Sequence, residues 1–179
     1  MNTGSASNLA FSDGASSSIS VSSTFDDSWS NLPSFSSALL ADRLYGITAD
    51  DTQTITLSGL SADSAFDIVL YNGFYAQQYA IVGQPLISAS IDPDANGSAN
   101  TVWPNWASGV EYVRLNSVIS DSNGDIVISI TPLDGITDFN PPNAAIAGLQ
   151  IQNVPVPATI WLFGSGLLSL ITIHRRKRA

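Results

Sequence analysis

The chain contains no cysteine, one histidine, one lysine, one glutamate and a single methionine, Met1. Without cysteine there is no disulfide framework, no thiolate nucleophile and no cysteine-ligated zinc. The lone histidine is His174, inside a basic cluster near the C-terminus. Ser–His and Cys–His nucleophilic systems and histidine-based zinc sites are therefore excluded for the preceding residues. Cations are scarce as well. Before position 154 only Arg43 and Arg114 oppose 15 carboxylates, a net charge of −13, and Arg175, Arg176, Lys177 and Arg178 give the remainder +4. A body this acidic repels phosphate backbones, so nucleic acid is excluded as a partner. It is compatible with divalent cations or neutral glycans and favours solubility outside a cell. Residues 1–16 (MNTGSASNLAFSDGAS) have neither a basic n-region nor an apolar h-region, so they do not read as a signal peptide.

What the chain does have is Ser, Thr, Asn, Asp and Gly, with short β-branched and aromatic runs between them. The runs Ser18–Phe25, Thr52–Leu57, Phe66–Tyr71, Ala80–Val82, Leu86–Ile91, Tyr112–Ile119, Ile126–Ile130 and Ala145–Ile151 predict strands. Asp121-Ser122-Asn123-Gly124-Asp125 predicts a hairpin turn between two of them, and Ser58-Gly59-Leu60-Ser61 a second short connection. Only Ser37–Leu44 (SALLADRL) predicts a turn or two of helix. Many short strands at roughly ten-residue spacing predict an all-β fold, an antiparallel jelly-roll-like sandwich over residues 1–153.

From Val154 the character changes. Val154-Pro155-Val156-Pro157 reads as a stiff extended spacer. Ala158–Ile173 (ATIWLFGSGLLSLITI) carries no charge and is apolar all round rather than on one stripe. Residues 157–173 as a helix would span roughly 25 Å, enough for a single transmembrane helix with snorkelling flanks. The basic end, 174–179, is a stop-transfer signal that stays cytoplasmic and leaves residues 1–153 outside.

The whole tail, VPVPATIWLFGSGLLSLITIHRRKRA, resembles the PEP-CTERM sorting signal of Gram-negative bacteria. The Pro-x-Pro motif within Val154, Pro155, Val156, Pro157 and Ala158, the apolar helix and the basic end Arg175, Arg176, Lys177 and Arg178 occur in the family's order. The family usually has Glu where Val156 stands, and Val-Pro-x-Pro-Ala variants look like members of the same system or of a subtype with its own enzyme. The resemblance implies recognition by an exosortase-like membrane enzyme, passage through the lipid bilayer of the inner membrane, and delivery to the cell surface or the exopolysaccharide matrix. Residues 52–75 and 125–151 resemble, in pattern, the galactose-binding-like β-sandwich ectodomains that precede such tails. A protein with this address needs an export signal, so the chain is expected to be an N-terminally truncated product or to have a misassigned start.

The remaining candidate residues are few. Asp92, Asp94 and Asn96 match the start of a calcium loop, but Trp103 occupies the twelfth position where an EF-hand has Glu, so the choice is between a looser calcium site and an Asx-type turn. Trp103 and Trp106, in a Pro/Asn loop, and Tyr75, beside Asn72-Gly73, are candidates for stacking on sugars. Tyr71 reads instead as a ring that caps or fills the sandwich. Glu111 and the many Asp leave a carboxylate glycosidase pair as the least favoured reading. The expected role is that of a non-catalytic surface or matrix protein with a structural or adhesive function and no required cofactor. A lectin-like carbohydrate-binding module is the alternative.

Overall fold

Alternation of apolar and polar residues accounts for the strongest elements. In β5 (Gln53–Ser58, QTITLS) and β6 (Ala65–Tyr71, AFDIVLY) every second side chain is buried, as expected of strands with one face on a core. β9 (Tyr112–Ile119) and β10 (Ile126–Pro132) follow the same rule, with one interruption in β9. The computed structural model describes residues 4–10, 13–30, 42–46, 51–71, 76–91, 108–109, 112–133 and 143–154. It adds β1 (Ser5–Ala6), β2 (Ser20–Ser23), β3 (Asp27–Ser30), β4 (Asp42–Tyr45), β7 (Gln77–Ile81), β8 (Gln84–Ile91), β11 (Ala145–Ile146) and β12 (Gly148–Asn153). There is no helix among the described residues, and none long and apolar enough to cross a membrane.

The strands form an antiparallel β-sandwich. One sheet has the order β1-β2-β5-β10-β7-β8, the facing sheet the order β12-β6-β9, and a third, small sheet the order β11-β4-β3. Ile55, Leu57, Tyr79, Ile81, Ile126, Ile128 and Ile130 from the large sheet meet Phe66, Ile68, Leu70, Val113, Leu115 and Val118 from the facing one. Each fully buried aliphatic side chain there contributes about 1.5–3 kcal/mol relative to exposure.

Among the described residues, two turns carry the chain between the two facing sheets, and both depend on glycine. Asp121–Asp125 does form a turn, closed by Gly124 N–H donating to Asp121 O at 3.0 Å. It is not a hairpin, because β9 pairs with β6 while β10 pairs with β5 and β7. Ser58–Ser61 makes the parallel passage from β5 to β6. The two turns bond to each other through Leu60 N–H to Gly124 O at 3.1 Å and Asp63 N–H to Asp121 O at 3.2 Å. Gly59 and Gly124 have φ of +80° and +81°, and a Cβ on either would stand 2.3 or 2.2 Å from a carbonyl oxygen of the neighbouring segment.

Two other expectations are corrected. Asp42–Leu44, the end of the expected helix, belongs to β4, where pairing with β3 and β11 overrides helical propensity. The run Ala145–Ile151 is two strands, β11 and β12, in different sheets. Ala147 at the break donates its N–H to Tyr71 O at 2.9 Å. Buried Gln77 fixes the first part. Its Oε1 accepts from Ala145 N–H at 2.9 Å and its Nε2 donates to Ala145 O at 2.6 Å, as a neighbouring strand would. Gln77 Nε2 also donates to the Tyr79 hydroxyl, whose ionisation burial pushes strongly up. At the far edge, Gln84 does the same for Ile119, with bonds of 2.7 and 2.9 Å. Between Gln84 and Ser88, residues 85–87 have no partner on β7, and Leu86 at the apex is 98% exposed.

Urea titration should separate these positions. Ile128→Ala is expected to cost about 2–5 kcal/mol and Gly124→Ala at least about 2 kcal/mol. Leu86→Ala should change stability by less than about 0.5 kcal/mol.

Candidate functional site

The residues singled out from the sequence divide sharply. Tyr75, Asp92, Asp94, Asn96, Trp103 and Trp106 lie outside the described residues, as do Pro155, Val156, Pro157, Ala158 and the basic end Arg175–Arg178. Of the sorting motif only Val154 is described. It is half-buried, and its N–H donates to Ala65 O at 2.9 Å, so the motif begins on the last paired backbone of the sandwich. Among the described residues no group of three or more His, Cys, Asp or Glu could hold a metal ion.

A second set of residues is brought together on the outer face of the β12-β6-β9 sheet. The alternation that buries Phe66, Ile68 and Leu70 turns Asp67, Val69 and Tyr71 outward. In β9 it buries Val113 and Leu115 and turns Tyr112 and Arg114 outward. Register sets them in rows across three strands. Gly148, Tyr71 and Tyr112 form one row, Gln150, Val69 and Arg114 the next, and Gln152 and Asp67 the third. The rings of Tyr71 and Tyr112 are 6.2 Å apart between centroids and tilted by 47°. Tyr71 thus stands half-buried on the outer face rather than in the core.

Asp67 organises the third row. Phe66 pairs with Val118 and Ile68 with Leu115, so Asn116 and Ser117 together oppose Asp67 in a β-bulge. Ser117 has φ of +55°, a left-handed conformation that is costly for a residue with a Cβ. Its N–H loses a ladder acceptor and donates instead to Asp67 Oδ1 at 3.0 Å. Asp67 Oδ2 accepts from Arg114 Nη2 at 2.6 Å. The Ser117 amide first, and the Arg114 guanidinium second, hold the Asp67 carboxyl below the usual carboxylate range. The sequence carries a sign of this bulge. Polar Asn116-Ser117 interrupts the alternation of YVRLNSVI, and it resumes one residue out of phase at Val118.

Beside this face, a hollow of about 940 Å³ follows β12, the edge strand of its sheet. Leu9, Ile19, Leu60, Leu149, Ile151 and Asn153 line it. It reaches the outer face at Asp67, Val69, Arg114, Gln150 and Gln152.

Comparison with known proteins adds little to this geometry. No family model and no curated protein sequence matches the chain. Among solved structures, the extracellular domain of ANXUR2 from Arabidopsis thaliana is similar with a TM-score of 0.49 and 12% identity, over 76% of this chain and 41% of that one. The extracellular domain of ANXUR1 from the same plant has a TM-score of 0.41 and 12% identity, over 86% of this chain and 54% of that one. The chain thus spans about half of those chains or less.

The carboxylates give a pH prediction. Asp67, Asp27 (held by the Ser28 amide and the Tyr45 hydroxyl) and Asp121 (held chiefly by the Asp125 amide) all have folded pKa values below the ordinary 3.8. Their stabilisation is complete above 3.8 and is lost as pH falls through the lower, folded values. The thermal midpoint should therefore drop below pH 3.8 in the native protein. Asp67→Asn should be less stable at neutral pH and flatter in acid, read by calorimetric scans across that range.

Proposed function

We propose that the chain is an exported bacterial surface or matrix protein, sorted and processed through its PEP-CTERM-like tail, with a structural or adhesive role. The tail Val154–Ala179 carries this reading: the Pro-x-Pro spacer, the uncharged 157–173 segment and the basic end stand in working order. The proposal takes 157–173 as a single transmembrane helix and the sandwich as jelly-roll-like and non-catalytic. Its partners are an exosortase-like enzyme, the bilayer and exopolysaccharide. No cofactor is required, and a calcium loop at Asp92, Asp94 and Asn96 is a subsidiary proposal.

The position of Val154 supports the reading physically. Because Val154 N–H is still bonded to Ala65 O, only residues 155 and 156 separate the sandwich from a helix that begins at 157. An extended proline-rich stretch from Val154 to Pro157 spans roughly 9 Å. Before processing, the sandwich would sit against the outer membrane face, where a membrane-embedded enzyme could reach the spacer. The −13 charge of the body would keep it off anionic headgroups and in the aqueous phase after release.

Fractionation of the complete gene product in hosts with and without an exosortase tests the proposal. The expected result is full-length protein retained in the inner membrane of the host without the enzyme. In the host with it, a shortened form lacking Arg175–Arg178 should appear outside the cell. Full-length protein in the membranes of both hosts would reduce the tail to an ordinary anchor.

A further inference from the structure

We propose that the outer face of the β12-β6-β9 sheet, with the hollow along β12, is a binding site for a neutral glycan chain. The assignment deepens the adhesive reading and rests on it for the source of the glycan. The side chains are of the kinds that hold sugars. Tyr71 and Tyr112 supply ring faces, against which the weakly positive C–H faces of a pyranose stack. In register beside Tyr71 stands Gly148, which places no side chain over that end of the row. Gln150 and Gln152, exposed on the edge strand, offer amide donors and acceptors for hydroxyls. The Asp67–Arg114 pair presents a fixed acceptor and donor side by side, a match for a vicinal diol.

The geometry favours a chain over a single sugar. Successive rows of the face are two residues apart along the strands, roughly 7 Å. The hollow of about 940 Å³ lies at the upper end of the range of roughly 300–1,000 Å³ for ligand sites.

Charge selects the class of ligand. The described residues of the three rows carry one cation and one anion that cancel, on a body of net charge −13. An acidic polymer would be repelled by that body, and a cationic one would find no unpaired carboxylate among the described residues of the three rows. A protein partner would need an apolar centre; the three rows hold Val69 alone, and the exposed Ile119 lies beyond them, beside Ala65 at the end of the face.

The test is calorimetric titration of the full chain in mild detergent with cellohexaose, laminarihexaose, maltohexaose and mannohexaose, and with an oligogalacturonate as acidic control. At least one neutral hexasaccharide should bind and the acidic one should not. Tyr71→Ala and Gln150→Ala should each weaken binding about tenfold or more, while Tyr71→Phe keeps it. Gln150 is exposed on an edge strand, so its variant folds whatever Tyr71→Ala does to stability. Absence of binding by all four neutral probes overturns the proposal. So does binding that survives Gln150→Ala, or that is stronger for the oligogalacturonate. Binding abolished by Trp103→Ala with Trp106→Ala, but intact in the sheet-face variants, overturns this site while leaving the adhesive reading in place. Failure of that reading would appear separately, as a tail that is not processed.

Discussion

The contact between the two glycine turns is the constraint on which the rest of the sandwich depends. Leu60 N–H bonds to Gly124 O, and Gly124 comes so close to Leu60, and Gly59 to Ser18, that only glycine fits at either position. These turns take β5 into β6 and β9 into β10 across the core, so they set how the two sheets face each other. In a structure with side-chain period two, a one-residue slip would turn every buried Ile and Leu of a strand outward. The same register that buries Ile68 and Leu70 aligns Tyr71, Val69 and Asp67 with β9 and β12. The candidate site is therefore a consequence of the core rather than a feature added to it.

Much of this fold was legible in the sequence. Strands β5, β6, β9 and β10 follow from alternation alone, because each puts one face on the core and one toward solvent. What could not be read were pairings between distant segments. Asn123-Gly124 marks a turn but does not say whether its flanking strands lie in one sheet or two. Asp42–Leu44 has helical composition, and it becomes strand through partners at Trp29 and Ile146 that no local pattern reveals. The break at Ala147 depends on Gln77, whose buried amide holds Ala145 apart from β12. The candidate site was only partly legible. Tyr71 stands out in the sequence but reads there as a ring that caps or fills the sandwich. The bulge that joins Asp67 to Arg114 shows in the sequence only as a phase shift after Asn116-Ser117.

Sorting and binding are linked by one strand in this account. β12 supplies Gln150 and Gln152 to the sheet face, and two residues beyond Gln152 Val154 begins the spacer. Under the proposed sorting, the outer face of the sheet would stand close to the membrane surface for as long as the tail stayed in the bilayer. After processing, the same face would travel with the released domain.

The central claim is that the sandwich lies outside the cytoplasm while the basic end stays inside. Because the chain has no cysteine, single replacements report its position without background. Ser88→Cys on the exposed surface of β8 and Ala179→Cys at the basic end, expressed from the complete reading frame in a host without an exosortase, can be treated in intact spheroplasts with a membrane-impermeant maleimide. The account predicts rapid labelling at position 88 and labelling at position 179 only after permeabilisation. Protection of position 88 in intact spheroplasts, with or without labelling at position 179, would contradict it.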